Sequence, residues 1–550
     1  MSFPPPGPPA PPSAPMPPEQ PHGTPPAKQR SAVLVGVLIG VLVFALIGLV
    51  VVGAKVISNA LDQDDASAER PSPSASPKEP LPATDPKLAA YYDQKLSWRG
   101  CGSNDCATLQ VPLDYAKPAG EKVGIAVLKV PAGDRSERVG SLVVNPGGPG
   151  GSGVQFAAAG KYQFGNDLAD HFDIVGFDPR GVGRSDPITC GGTSELDELM
   201  AMDPDPDDEA ERDRMTALTR QFGNSCVAGS GDLVQHISTQ EAARDMDILR
   251  AALGEPKLDY FGFSYGTYLG ATYAELFPTN VGRFVLDGAV DPSLSNAELS
   301  LEQARGFETA LRAYVKDCVD DDGCILGSTV DQGTARIREL LDQLEKEPLP
   351  TGGDRELTEG LGMMGIWLPL YAKERWPDLT DALTQAIEDD RGDDLLALAD
   401  LYASRGDDGY TDNSMAALLA VNCLDHGDSI ATEAVPAEFA KFEAASPTFG
   451  RAFAFSLSTC SSWPVKPVEP ELALTAKGAP PIVVIGTTRD PATPLVWAQA
   501  LAAQLDSGQL ITRDGDGHTG FRQGSECVDD AVQGWLVSGR VPKPDLKCGP

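Results

Sequence analysis

The sequence predicts an α/β fold: a mainly parallel sheet with helices on both faces and a helical insertion that caps it. Three observations lead there. From residue 106 onward, short apolar runs broken by Gly and Pro alternate with segments of helical spacing. Parallel strands need crossover helices and are buried on both faces, so they read as continuous apolar runs. Between Asp291 and about Thr475 the strand signal stops, and acidic text with helical spacing replaces it. After Thr475 the alternation resumes. A chain of 550 residues buries ample apolar surface without a staple. It carries 79 Asp and Glu against 44 Lys and Arg, a net charge of −35. Such a surface repels phosphates, which excludes nucleic acid as a partner and disfavours docking of the globular part on anionic lipid.

The elements follow in order. Residues 1–30 contain 13 prolines and read as a solvated, polyproline-like cytoplasmic segment. Residues 31–57 read as a transmembrane signal anchor. Within them, Ala32 to Ala54 carries no charged side chain. As a helix that stretch reaches about 34 Å, enough for a hydrocarbon core of about 30 Å. A cleaved signal peptide is the competing reading, with Val52-Gly53-Ala54 as its small-residue site. The apolar run exceeds the roughly 7–15 residues usual for one. Lys28 and Arg30 precede the run, while Lys55, Asp62, Asp64 and Asp65 follow it. That bias puts the N-terminus in the cytoplasm and the rest outside. Residues 58–88 form a Ser/Pro-rich linker.

All ten cysteines lie beyond the linker. An even count outside a membrane points to disulfides. Pairing near neighbours gives Cys101–Cys106, Cys318–Cys324, Cys423–Cys460, Cys527–Cys548 and, by remainder, Cys190–Cys226. Buried free thiols remain the alternative, since sequence does not set connectivity. A metal site is disfavoured, because no C-x-x-C pair occurs and the chain has only five histidines.

Residues 89–292 form the first part of the α/β core. Strands are expected over 122–130, 141–145, 172–177, 258–263 and 281–287. Helices are expected over 239–253, stopped by Gly254, and 265–277, stopped by Pro278. Residues 293–475 form the helical cap, with its clearest helices over 297–316, 334–346 and 379–387. Residues 476–550 complete the core with a strand over 481–486, a helix over 495–505 and a strand over 509–514.

Gly262-Phe263-Ser264-Tyr265-Gly266 follows one expected strand and opens one expected helix. A serine on such a turn has its hydroxyl pushed above the sheet, and the small flanking residues allow the bend. The helix N-terminus offers backbone N–H groups to a developing oxyanion. One donor is Tyr265. The second is expected from Asn145-Pro-Gly-Gly-Pro-Gly-Gly-Ser-Gly153, where prolines 146 and 149 lack an N–H. Gly148 is favoured, with Gly147 as the alternate. The loop fits neither a phosphate-binding nor a dinucleotide-binding pattern. A serine nucleophile needs a base, and the base an orienting carboxylate. Of the histidines, His22 is cytoplasmic, His171 and His236 precede the serine, and His426 lies in the cap. His518, in the Gly-rich GDGHTGF, is therefore the base. Asp490, ending a strand in VVIGTTRDPATP, is the acid, ahead of Asp514 and Asp516.

DPRGVGRS, GFSYGTYLGATYAELFP, VLDG, GTTRDPATP and GDGHTGF, together and in this order, resemble the actinobacterial tripeptidyl aminopeptidases. These are serine peptidases related to proline iminopeptidases, with an α/β-hydrolase fold. The resemblance covers about residues 89–550. It implies Ser264 as nucleophile, Asp490 as acid and His518 as base, and a Cys423–Cys460 disulfide holding the cap. Proline iminopeptidases have His-Gly-Gly-Pro-Gly, whereas here Asn145-Pro146 precede Gly-Gly-Pro-Gly, which favours the tripeptidyl branch. The expectation is an extracytoplasmic exopeptidase that needs no metal or cofactor and acts on peptides with a free N-terminus. It is anchored by one N-terminal helix or secreted after cleavage near Ala54. Carboxylates of the cap are the natural partners of the substrate ammonium; most of them are a solvated acidic face, and Asp425, beside Cys423, is the candidate singled out among them. An esterase or lipase on the same residues is the alternative. A catalytically dead binding protein is disfavoured, because Ser264, Asp490 and His518 are all present. The sequence sets no oligomeric state.

Overall fold

The computed structural model describes residues 86–549 except 322 and 471. The Pro-rich head, the anchor segment 31–57 and most of the linker lie outside the described residues. Among the described residues, no helix is long and apolar enough to cross a membrane.

Ten strands form one sheet. They are β1 (Arg99–Cys101), β2 (Asn104–Pro112), β3 (Lys122–Val130), β4 (Gly140–Asn145), β5 (Phe172–Phe177), β6 (Leu258–Phe263), β7 (Val281–Asp287), β8 (Ile482–Arg489), β9 (Gly508–Asp516) and β10 (Leu546–Cys548). Their spatial order is β1-β2-β3-β5-β4-β6-β7-β8-β9-β10. The pairs from β1 to β5 are antiparallel, and every pair from β5 through β4 to β10 is parallel. All six residues of β4 are buried, as a central parallel strand under helices on both faces requires. Strand β2 was not expected. Its apolar positions alternate with polar ones near an edge of the sheet, so it lacks the continuous apolar run of the others.

Register places the site. Asn145 at the end of β4 lies opposite Gly262 of β6, and Phe263 lies opposite Asp287 of β7. Ile485 of β8 is the next partner of Asp287. The loops after β4, β6, β7 and β8 thus leave the sheet side by side at its C-terminal edge, where ligands of open α/β sheets bind.

Between β7 and β8 the chain is mainly helical, with one short antiparallel hairpin that pairs Arg405–Gly406 with Gly409–Tyr410. Helices Asn296–Asp320, Val330–Lys346 and Trp376–Glu388 match expected ones, each a few residues longer. Two further helices, Glu359–Leu370 and Asp393–Tyr402, were not expected. The first, EGLGMMGIWLPL, is apolar all round and holds three glycines and Pro369, so it shows no amphipathic stripe. These helices share an apolar cluster that includes Phe307, Ile337, Ile366, Leu379 and Leu395. Helix Ser414–Asp425 behaves differently, because Ala417, Ala420 and Leu424 pack into the cluster beneath the sheet.

All ten cysteines are paired, in the five combinations that near-neighbour pairing gives. The free-thiol alternative falls. Cys423–Cys460 joins helix Ser414–Asp425 to the segment after helix Gly450–Ser456 across a separation of 37 residues. A loop of that length corresponds to about 3–4 kcal/mol of chain entropy. Replacing both cysteines by serine is predicted to lower stability by about that amount, measured by thermal unfolding, with the sheet's circular dichroism signature retained.

Candidate active site

Ser264 is the single residue between β6 and helix Tyr265–Leu276. Its φ of 55° lies in the left-handed region, which costs a non-glycine residue about 1–3 kcal/mol. The surroundings hold it there. Ser264 N donates to Asp287 O at 2.9 Å, and Thr267 N and Oγ1 donate to Ser264 O at 2.8 and 2.6 Å. Glycine is required on either side: a Cβ at Gly262 would run into the Gly266 carbonyl, and one at Gly266 would lie 2.8 Å from Asn145 Oδ1.

The loop after β4 lies against this turn. A Cβ at Gly147 would sit 2.8 Å from Ser264 Cβ and 3.2 Å from Tyr265 N. Asn145 Oδ1 accepts the Gly147 N–H at 2.9 Å, so that amide is already used. Among the described residues no acceptor takes the Gly148 N–H. Asp178, after β5 in the DPRGVGRS motif, braces the loop. It accepts from Ser152 Oγ at 2.6 Å and Val154 N at 3.0 Å, and from Arg184 N at 2.9 Å.

Asp490 follows β8 and is buried. It accepts from Ala492 N, Thr493 N, Thr493 Oγ1 and Thr519 N at 2.8–3.1 Å. Both of its oxygens stand 2.9 Å from His518 Nδ1. A carboxylate on that side keeps the proton on Nδ1 and leaves Nε2 with its lone pair. Nε2 is buried and has no hydrogen-bond partner among the described residues, so no bond to Ser264 Oγ closes in this state. Catalytic bonds are often long before substrate arrives. Burial pushes the His518 imidazole down, but the charge and hydrogen bond of Asp490, helped by the charge of Asp287, outweigh it, and the net shift is upward. The rival acids face elsewhere, since Asp514 and Asp516 both pair with Arg489.

Three contributors escaped sequence reasoning. Thr493 Oγ1 stands 3.1 Å from Asp490 Oδ2 and 3.3 Å from His518 Nδ1. Tyr371, from the helical insertion, accepts the His518 N–H at 2.8 Å and sets its ring edge-on to the imidazole, 5.3 Å between centroids. Asp287, the acid of VLDG, is fully buried. Its carboxylate accepts Gly520 N and Phe521 N at 2.8 Å each, while its backbone oxygen holds Ser264 N. One residue thus ties the serine turn to the histidine loop. Only the strand-end acid was visible in sequence; the second loop arrives by tertiary contact.

Asp425 gains no support as an ammonium ligand. It caps helix Thr239–Ala252, with Thr239 N donating at 2.9 Å to one oxygen and Thr239 Oγ1 at 2.6 Å to the other. Thr239 Oγ1 also meets Tyr265 Oη at 2.5 Å. Burial pushes the Asp425 carboxyl up to about 7. Its oxygens brace the start of helix Thr239–Ala252, whose Thr239 hydroxyl in turn meets Tyr265.

A serine turn, a glycine loop and an Asp–His pair at the C-terminal edge of a mostly parallel sheet define a serine hydrolase of the α/β-hydrolase class. Comparison with known proteins agrees. A family model described as alpha/beta hydrolase fold matches residues 140–340, and one described as TAP-like protein matches residues 446–548. The serine protease Hip1 of Mycobacterium tuberculosis is 38% identical over 84% of this chain and 92% of its own length. Carboxylesterase B of the same species is 36% identical over 81% and 86%. The tripeptidyl aminopeptidase of Streptomyces lividans is 33% identical over 83% and 87%. The chain belongs to the family of α/β-hydrolase serine peptidases that contains the tripeptidyl aminopeptidases and Hip1.

Asp287→Asn provides a test of the tie. The amide offers one acceptor oxygen where two loop amides need acceptors, so stability falls by about 1–3 kcal/mol in thermal unfolding. The negative charge that favours the imidazolium is also lost. The acid limb of the kcat/KM profile therefore moves to lower pH.

Proposed function

We propose that the protein is an extracytoplasmic serine exopeptidase that releases short peptides from free N-termini. His518 Nε2 takes the proton of Ser264 Oγ as the oxygen attacks the scissile carbonyl. The N–H groups of Gly148 and Tyr265 receive the oxyanion. The tetrahedral intermediate collapses, His518 gives its proton to the leaving amine, and an acyl-enzyme remains on Ser264. Water, deprotonated by His518, then attacks the ester; the short peptide leaves with a new carboxyl group, and His518 returns the proton to Ser264 Oγ. Asp490 holds the Nδ1–H tautomer and stabilises the imidazolium.

The carrying observation for exopeptidase action is the crowding of the groups around the serine by the helical insertion. Tyr371 packs on His518, and helix Asn296–Asp320 closes over the Asp490 turn, where a Cβ at Gly306 would lie 3.1 Å from Asp490 O. Helix Ser414–Asp425 presses on the glycine loop, with Ala417 Cβ 3.2 Å from a Cβ placed at Gly150. Elements so close on several sides suit a chain end better than the middle of a folded protein. The name tripeptidyl aminopeptidase, borne by a relative, agrees with this reading. Five disulfides suit an oxidising compartment, and the apolar segment 31–57 supplies the anchor. The second reading, an esterase on the same residues, rests on the 36% identity to a carboxylesterase.

The test compares a free-amine Ala-Ala-Pro anilide, its N-acetylated twin and a short acyl ester. The free-amine anilide should turn over and the acetylated one should not. Ester turnover with no amidase activity contradicts the proposal. Ser264→Ala should reduce turnover about a million-fold, as in a comparable serine hydrolase. Because the base must be neutral and its pKa is raised, kcat/KM should fall with decreasing pH through a pKa above the ordinary histidine value of about 6.5.

A further inference from the structure

Three carboxylates converge inside the protein, separate from Ser264 and His518. Asp203 and Asp205 lie on the loop after helix Thr193–Met200, in MDPDPDD. Glu359 opens helix Glu359–Leu370 of the insertion. One oxygen from each lies within 4.8 Å of the other two. Glu359 is only 3% exposed and Asp205 only 5%. Glu359 Oε2 and Asp203 Oδ2 are buried with no hydrogen-bond partner. The nearest cation, Arg338, stands 3.5 Å from Asp205 and is shared, its Nε on Asp342 and its Nη1 on the Thr448 carbonyl.

Buried carboxylates with orphaned oxygens need a counter-charge. The donors here are all oxygens, which select a hard cation. Ca2+ binds oxygen at about 2.3–2.6 Å, so ligands on opposite sides of it stand about 4.6–5.2 Å apart. The observed spacing fits inside that span. Main-chain oxygens are also at hand. A Cβ on Gly360 would meet the Met202 carbonyl and lie 2.9 Å from the Met200 carbonyl, so both border the first turn of the Glu359 helix.

We propose that Asp203, Asp205 and Glu359 form a Ca2+ site that ties the 200–208 loop to the helical insertion. The position gives the ion a purpose. Helix Glu359–Leu370 leads directly into Tyr371, whose carbonyl holds the His518 amide. Fixing the start of that helix fixes the insertion over the site. The effect on activity rests on reading His518 as the base; the binding itself does not.

The test titrates the full-length protein, stripped with EDTA and dialysed, with CaCl2 by calorimetry, and follows its melting temperature with Ca2+ and with EDTA. One Ca2+ per chain is expected, and at a hundredfold excess over Kd the melting temperature should rise by about 2–3 °C. Glu359→Gln and, separately, Asp203→Asn on the more exposed loop should each weaken binding at least tenfold. Two variants guard against misfolding of either. No heat and no melting shift for the wild type would overturn the site, leaving the carboxyls satisfied by protons alone. Binding that survives undiminished in both variants would also overturn it, because other acidic groups would then hold the ion.

Discussion

Much of the site hangs on the end of β7. The Asp287 carbonyl holds the Ser264 amide, and the Asp287 carboxylate holds the amides of Gly520 and Phe521. Ser264 would not keep its left-handed backbone without a fixed acceptor for its N–H, and the loop bearing His518 would have no anchor on the sheet. The arrangement has a cost, since a fully buried carboxylate is pushed up to about 7 by desolvation. The two amide hydrogen bonds offset part of it. The same charge lies close enough to help raise the His518 pKa. Structure and proton chemistry are therefore linked through one side chain, and packing alone would not select an acid there.

The helical insertion is the second contributor. Its aromatic residues Phe307, Trp367, Tyr371 and Phe453 pack against one another, and Tyr371 carries the contact on to His518. Helix Ser414–Asp425 instead belongs to the apolar cluster under the sheet, with Cys423 bonded to Cys460. The insertion thus has one part packed on itself and one part built into the core, which explains how it can sit so near the serine.

Much of this was legible in the sequence, for physical reasons. Strands β3, β5, β6 and β7 have the bounds that their apolar runs and flanking Gly, Pro and Asp indicate. Ser264, His518 and Asp490 stand out because a strand-to-helix turn, a glycine loop and a strand end each leave a local signature. Helix Glu359–Leu370 leaves none, because burial on nearly every side removes the amphipathic stripe. Thr493, Tyr371 and the second duty of Asp287 depend on segments meeting in space, which no local pattern records. Asp425 shows the converse: its place beside a cysteine suggested substrate binding, but the fold uses it to cap a helix.

The most direct test of the account is where a fluorophosphonate attaches. The account predicts a single adduct, mapped by mass spectrometry to the peptide bearing Ser264, with labelling lost in Ser264→Ala and strongly slowed in His518→Ala. An adduct on another serine, or peptidase activity that persists after Ser264 is fully modified, would contradict it.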